Sequence, residues 1–317
     1  MRCCILIPFM GRSVELLGCL ERLLPQLSQT AELVLIDDGS PRDIADDPAF
    51  GEYLDSRYIH LIRHPCNRGV SAARNTGIRW CLERDFDLVL MTDSDCAPPP
   101  EFVAAHIDLH ETHKDAAAVG GAIRGMGDTI WARLDNIMTW FHCFPGTPER
   151  LLEGPYSLPT ANLSIKIRML PFGDEFFDPR LRTGEDTAFS RRVRDAGFHM
   201  VFSPRPEIGH TDRSRFGAFV RHQFEFGRHH YVLGHGDLGL AHLCFKPWYR
   251  ICFALAFLLG FPGYALLGCT LNMRPWVRHD WRNVAYWPLV QLFWLVKAVA
   301  VFEAVCNPQS AFRMDQR

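Results

Sequence analysis

The chain has 317 residues, 48% of them hydrophobic and 22% charged, a length that suits one large domain or two unequal ones with a sizeable buried core. This composition excludes a disordered, collagen-like or disulfide-stapled chain. With 34 basic residues against 36 acidic ones, no global positive field marks a nucleic-acid binder.

In chain order, the apolar stretch within Met1–Phe9 is too short for a secretory signal and reads as a first buried strand. Strand-like apolar runs follow at Cys3–Ile7, Leu33–Ile36, Ile59–Ile62 and Leu88–Thr92, bounded by Pro, Gly, Asp and Asn. Between the first two, Val14, Leu17, Leu20, Leu24 and Leu27 recur at helical spacing, so Val14–Leu27 is expected to be an amphipathic helix. Alternation of strand and helix predicts an α/β fold with a parallel sheet, whose ligand chemistry gathers at the strand carboxyl ends. Three strands end there in polar clusters: Pro8–Arg12, Asp37–Ser40 and Asp93–Asp95.

Ala117–Ile123 is expected as a strand, Thr129–Phe141 as a helix and Gly146–Pro155 as a loop. Thr187–Ala196 is expected as a helix stopped by Gly197, and His199–Ser203 as a short strand. Phe216–Tyr231 looks helical, and a boundary near Pro247 opens a tail of different composition. From Ile251 to Cys306 only Arg274, Arg278, Asp280, Arg282, Lys297 and Glu303 are charged. Eleven cysteines are scattered without a CxxC pair or zinc-site spacing, which indicates reduced thiols in a cytosolic compartment.

Asp93 and Asp95, two apart at a strand end, can present oxygens to one hard divalent cation such as Mg²⁺ or Mn²⁺. Taken alone, the triplet Asp93-Ser94-Asp95 is equally good turn chemistry, as is Asp37-Asp38-Gly39-Ser40-Pro41. Their combination and order are more specific. A strand carrying Pro8, the Asp37-Asp38-Gly39-Ser40 cluster, the segment Asn67-Arg-Gly-Val-Ser-Ala-Ala-Arg-Asn-Thr-Gly77, Asp93-Ser94-Asp95 and Gly184-Glu185-Asp186 follow one another between Cys3 and Asp212. This pattern resembles the family 2 glycosyltransferases with their GT-A nucleotide-sugar-binding fold.

The resemblance implies a Rossmann-related, mostly parallel sheet flanked by helices, and an inverting, metal-dependent transfer from a nucleotide-diphosphate sugar to a lipid or saccharide acceptor. It places the base beside Pro8 and Asp37, with Asp38 on the base; a carboxylate accepting a ring N–H suits uracil, so UDP-sugars are favoured as donors. Asp38 is also compatible with an Asx-type turn. Arg74 would lie near the base or diphosphate, where a planar guanidinium is an apt donor, the alternative being a helix-surface arginine. Asp93 would contact ribose or sugar and contribute to the metal site, Asp95 would bind the metal, and His210 would join them or remain a hydrogen-bonded loop histidine. Asp186 would act as the base that takes the acceptor hydroxyl's proton, with Glu185 orienting the site. An acidic pair at a helix N-terminus also has a purely dipolar explanation. Asn162 would bond the sugar. Gln223 is followed by Phe-Glu-Phe-Gly and not by the Q-x-x-R-W of processive members, which favours single-sugar transfer. A nucleotidyltransferase of similar fold and a catalytically silent membrane scaffold are the alternatives.

The histidines and arginines around His222, Arg228, His229, His230, His235 and His242 are expected to form a solvated basic face. Ile251–Asn272 is 22 residues without a charge, long enough to span a hydrocarbon core. Val284–Cys306 is a second candidate, although Lys297 and Glu303 are costly in lipid unless paired or near an end. Trp248, Tyr249, Trp276, Trp281 and Trp287 sit at the segment ends as an interfacial belt would. Two spans or a re-entrant hairpin compete with a soluble core. Charges at Lys246, Arg250, Arg313 and Arg317 against Arg274, Arg278 and Arg282 do not settle topology. The expected organisation is a catalytic domain over 1–215, an interface region over 216–250 and an apolar hairpin over 251–317, on a cell membrane with the catalytic domain facing the cytoplasm.

Overall fold

The computed structural model describes residues 1–11, 13–154, 156–181, 183–237 and 239–311. Arg12, Pro155, Arg313 and Arg317, used above, lie outside the described residues. The elements begin β1 (Cys3–Phe9), α1 (Ser13–Leu23), β2 (Ala31–Asp37), α2 (Gly51–Leu54), β3 (Ile59–Arg63), α3 (Val70–Leu82) and β4 (Leu88–Met91). They continue with β5 (Cys96–Ala97), α4 (Phe102–Thr112), β6 (Ala116–Gly125), α5 (Ile130–Thr139), β7 (Arg150–Leu151), β8 (Leu163–Lys166), α6 (Glu185–Asp195) and β9 (His199–His210). Three long helices close the chain: α7 (Phe216–Asp237), α8 (Pro247–His279) and α9 (Trp287–Cys306). Contacts group them into two units. The first is Met1–Arg124, Cys143–Pro179 and Asp186–Thr211; the second is Gly125–His142, Arg180–Glu185 and Asp212–Arg317.

The first unit is built on one sheet in the order β3-β2-β1-β4-β8-β6-β9-β5, with β7 also paired to β9. Its first four strands are parallel, as the sequence leads one to expect. The sheet as a whole is mixed, because β8 returns antiparallel to β4 and to β6, and β5 and β7 pair antiparallel with β9. β8 is missing from the sequence expectation: four residues carry too short an alternation to signal a strand. β1 is buried throughout and lies between β2 and β4, which is why its sequence is continuously apolar.

Pro8 lies inside β1, in register with Ile36, one residue short of the strand's end. The Leu6 carbonyl accepts from Thr92 N on the β4 side, and pairing with β4 extends no further than Leu6. Pro8 therefore occupies a position where a missing N–H breaks no ladder bond. α1 ends at Leu23 and tightens into a 3₁₀ turn at Leu24–Gln26, set by Pro25. Val14, expected on its buried stripe, is 77% exposed. β9 runs to His210, seven residues beyond the expected strand.

The second unit is helical. Its core joins Leu134, Ile137 and Met138 of α5 to Phe219 of α7, Ala265, Cys269 and Met273 of α8, and Val290, Phe293 and Trp294 of α9. Buried Asp135 fastens α7 to α5, accepting from Arg213 Nη1 at 3.1 Å and His222 Nδ1 at 2.9 Å. The α8 side chains of Asn272 and Trp276 donate to the carbonyls of Met138 and Ile137, satisfying groups left open at the end of α5.

Small residues set the helix spacing. A Cβ on Gly268 would come within 2.3 Å of the Trp294 ring, whereas one on Gly260 would meet nothing within 4 Å. Gly→Ala in a helix gains about 1 kcal/mol from propensity, while overpacking costs about 1–3 kcal/mol. Gly260→Ala is therefore expected to raise the stability measured by denaturant unfolding, and Gly268→Ala to lower it.

The basic stretch is a solvated face only in part: His230 and His242 are exposed. His222, His229 and His235 of α7 are at least nine-tenths covered or packed inward, and Arg228 pairs with Glu303 of α9 at 2.7 Å. That pair, with Lys297 (3% exposed) held against the rings of Trp294 and Phe226, offsets part of the cost expected of two charges in an apolar helix. The i,i+6 spacing hid both partners, because they lie on another helix or around the ring faces. α8 and α9 are long and apolar enough by length and composition to cross a membrane. α8 turns Ile251, Leu255, Leu258, Leu259, Leu266 and Leu267 outward. Of the aromatic belt, Trp248 and Trp281 are exposed, whereas Trp276 and Trp287 pack into the helical core.

Candidate active site

The rim at the ends of β1, β2 and β4 is assembled by short backbone links. Asp38 N donates to the Phe9 carbonyl, His64 N to the Asp37 carbonyl, and Thr92 N to the Leu6 carbonyl. Asp37 is fully buried; its Oδ1 accepts from Ser40 N at 2.8 Å and its Oδ2 lies 3.6 Å from Arg63 Nε. Gly39 is required here, since it has φ +75° and a Cβ would meet the Cys66 carbonyl carbon at 2.4 Å. The turn thus lies directly on the segment that opens α3.

Asp38 is 5% exposed and holds that segment down. Its Oδ1 accepts from Arg68 N at 2.8 Å and lies 2.8 Å from His64 Nδ1, and its Oδ2 accepts from Gly69 N at 2.7 Å. His64, absent from the sequence expectation, bridges Asp38 to Thr76 of α3, with Nε2 3.0 Å from Oγ1. The only signal for it was its place one residue beyond a strand.

α3 lies close on the sheet because Gly77 leaves room for Leu6. Two of its buried polar residues, Asn75 and Arg74, reach across to other segments. Asn75 pins the chain at Phe176 and Phe177 through both backbone N–H groups and the Phe177 carbonyl. Arg74, 2% exposed, stands over the Phe177 ring and donates to Asp93 Oδ1 at 2.9 Å. The guanidinium is thereby committed to orienting a carboxylate, and it is not the surface arginine of the alternative reading.

Asp93 and Asp95 share the open side of the segment after β4, while Ser94 and Cys96 between and beyond them are buried. The β5–β9 pairing sets Cys96 opposite His210. It brings one ligand atom each from Asp95, Cys96 and His210 within 4.8 Å of one another, with His210 Nε2 3.7 Å from Asp95 Oδ1. A carboxylate oxygen and an imidazole nitrogen fit a divalent first-row cation such as Mn²⁺. Burial, with the charges of Asp93 and Asp95, pushes the Cys96 thiol well up. Cys96 was not expected here, although it directly follows the acidic triplet. Asp93, expected near the same cation, is outside this group and turned to Arg74.

Asn162 differs most from expectation. It is fully buried, its amide N–H groups go to the carbonyls of Ala122 and Pro206, and its Oδ1 faces His106 Nε2 at 2.9 Å. It is a strut beneath the sheet, not a group open to a sugar. His106 Nδ1 in turn lies 2.8 Å from Ser164 Oγ, which also meets His110 Nε2 at 2.9 Å. Burial lowers His106 to about 4, against a smaller raising effect of the Asn162 bond, and lowers His110 to about 3. Because both folded-state values lie below the ordinary 6.5, the unfolded chain takes up protons first. Stability is then full above pH 6.5 and falls as pH drops toward 4, by about 3 kcal/mol for His106 alone. Urea unfolding at pH 7 and pH 4.5 is expected to show this loss, and His106→Gln is expected to reduce it.

Asp186 is half-buried in the first turn of α6, its Oδ1 accepting from Thr187 N at 2.7 Å. Its charge, second to burial, raises the nearby Cys143 thiol. Glu185, preceding it, is 9% exposed. All eleven cysteines are free.

Residues 4–170 match the family model "Glycosyl transferase family 2", and the chain belongs to that family. It is 26% identical over 217 residues, 66% of its length, to the pre-mycofactocin glycosyltransferase of Mycobacterium tuberculosis, of which it spans 43%. It is 32% identical over 133 residues to the glucosyl-dolichyl phosphate glucuronosyltransferase of Haloferax volcanii, covering 41% of this chain and 39% of that protein. The chain therefore spans less than half the length of these curated relatives. Among solved structures, the mannosyltransferase of Pyrobaculum calidifontis in complex with GDP-mannose and Mn²⁺ superposes with a TM-score of 0.61 at 15% identity, covering 95% of this chain and 86% of that one. That likeness shows a shared GT-A fold.

Proposed function

We propose that the protein is an inverting, divalent-metal-dependent glycosyltransferase that moves one sugar from a nucleotide-diphosphate sugar to a lipid or saccharide acceptor. The observation that carries this reading is the grouping of Asp95, Cys96 and His210, just beyond the end of β4 and two residues from Arg74-bound Asp93. Asp95 and His210 would hold Mg²⁺ or Mn²⁺, and such a cation supplies charge neutralisation on the departing diphosphate. Asp93, fixed by Arg74, would receive a ribose or sugar hydroxyl. Asp38 Oδ2, which accepts from Gly69 N, retains acceptor capacity for a pyrimidine ring N–H, and UDP-sugars are therefore the first donors to try. The Asp186 carboxylate would take the proton of the acceptor hydroxyl as it attacks the anomeric carbon.

The Haloferax relative is named for a dolichyl-phosphate-linked substrate, and the outward leucines of α8 offer a surface suited to lipid. Together they support a lipid acceptor and a membrane-bound enzyme. The catalytic region over 1–215 would work on the cytoplasmic side, where nucleotide sugars are made, with 216–250 as the interface and 251–317 as the hairpin. Thermal shift with UDP-, GDP-, dTDP- and CDP-sugars, each with and without Mn²⁺, tests this. One donor is expected to stabilise the chain by RT ln(1 + [L]/Kd), more strongly with Mn²⁺. No shift with any of them would overturn it.

A further inference from the structure

The geometry points to a positioning role for α7: His229 and Leu233 fasten the Thr183–Gly184 turn, and through it set the Glu185–Asp186 pair at the start of α6. This rests on the reading of Asp186 as the acceptor base. Thr183, Gly184, Glu185 and α7 belong to one unit, and Asp186 is the next residue in the chain.

His229 is 3% exposed and makes three contacts that agree on one tautomer. Thr183 N–H donates to its Nε2 at 3.3 Å, so that nitrogen is unprotonated. Nδ1 then carries the proton and lies 2.7 Å from Thr183 Oγ1 and 2.9 Å from the Glu225 carbonyl one helical turn earlier. Gly184 completes the attachment. At φ +77° a side chain is strained, and a Cβ would sit 2.5 Å from Leu233 Cδ1 and 3.9 Å from His229 Cδ2. The turn is thus gripped at two consecutive residues by side chains one helical turn apart on α7.

The opposite requirement, that α7 itself stay fixed, is met by α9. A Cβ on Gly227 would meet the Lys297 carbonyl oxygen at 2.5 Å, so the two backbones touch there, and Arg228 pairs with Glu303 on the next residue. His230 reaches Tyr264 of α8 at 2.6 Å. Residues 227, 228 and 230 face the apolar helices and residues 229 and 233 face the turn. α7 therefore transmits the placement of α8 and α9 to the two residues before the acidic pair. A base displaced by about 1 Å can lose roughly 100-fold in rate, so a loosened turn is felt in turnover before it is felt in donor binding.

The test uses the full chain and three variants, His229→Ala, His229→Gln and Thr183→Val, with hydrolysis of UDP-glucose and of GDP-mannose in Mn²⁺ and hydrogen exchange across 180–186. His229→Ala and Thr183→Val are expected to speed exchange in 180–186 at least about 5-fold. They should lower kcat by roughly 10–100-fold with donor KM unchanged. His229→Gln, which keeps a donor and an acceptor, should recover part of both. Thr183→Val removes one hydroxyl and keeps the test open if His229→Ala does not fold. Unchanged exchange in 180–186, or unchanged kcat beside an inactive Asp186→Asn, would overturn the positioning role and leave the assignment of Asp186 standing. An Asp186→Asn variant with full turnover would instead overturn that assignment, and the exchange result would still report whether α7 holds the turn.

Discussion

Asp186→Asn is expected to lower turnover by roughly 10²–10⁴-fold, the contribution of a positioned general base, with little change in donor affinity. The amide keeps an oxygen for the Thr187 N–H that Asp186 Oδ1 now accepts, so the first turn of α6 is preserved and the loss falls on chemistry. The measurement is kcat together with the donor-induced thermal shift. A variant with normal kcat would remove Asp186 from the mechanism, and one that lost the thermal shift as well would place it in donor binding.

Asp95→Ala carries the second large effect. Asp95 supplies the carboxylate oxygen of the cluster with His210, 3.7 Å away, and no other carboxylate among the described residues joins that cluster. Changing groups that merely support metal ligands costs about 10–100-fold in metal affinity or activity, and losing the carboxylate itself is expected to cost at least as much. Calorimetric titration with Mn²⁺ in the absence of donor should show binding to the wild type and its loss in Asp95→Ala. Mn²⁺ binding that survives in Asp95→Ala would move the cation elsewhere. Asp93→Ala should differ, because Asp93 is tied to Arg74 by a 2.9 Å contact. Removing it leaves a nearly buried guanidinium without that carboxylate, so a loss of stability accompanies any loss of donor binding.

The acidic clusters were legible in the sequence because each ends an apolar run, and strand ends in a parallel sheet collect on one rim. Their partners were legible only in part: the family resemblance placed His210 with Asp95 and Arg74 near the donor, but it gave neither His64 nor the bond from Arg74 to Asp93. His64, Arg74 and His210 reach the rim from β3's end, from a helix and from a strand more than a hundred residues further on, and only the closed sheet makes them neighbours of Asp38, Asp93 and Asp95. Asn162 shows the converse error. Its small-residue surroundings fit a pocket floor, but the carbonyls of Ala122 in β6 and Pro206 in β9 and the His106 ring of α4 use up its amide.

The tail divides in the same way. Its length and lack of charge follow from composition, and so does the presence of two long apolar helices. Whether Lys297 and Glu303 are tolerable there depends on Trp294, Phe226 and Arg228, the last two supplied by α7. Of the histidines that look like a solvated basic face from spacing alone, His222, His229 and His235 are drawn inward because Asp135 of α5, the Thr183 turn and Tyr249 of α8 each bring one of them a partner, while His230 and His242 stay exposed. Local pattern, hydrophobic period and turn chemistry act over a few residues, so the sequence by itself determined the longer elements, the parallel half of the sheet and the acidic rim, but not short strands such as β5, β7 and β8. Pairing between residues far apart in the chain was decided only by the tertiary structure, since burial leaves a polar group stable where another element brings it a partner.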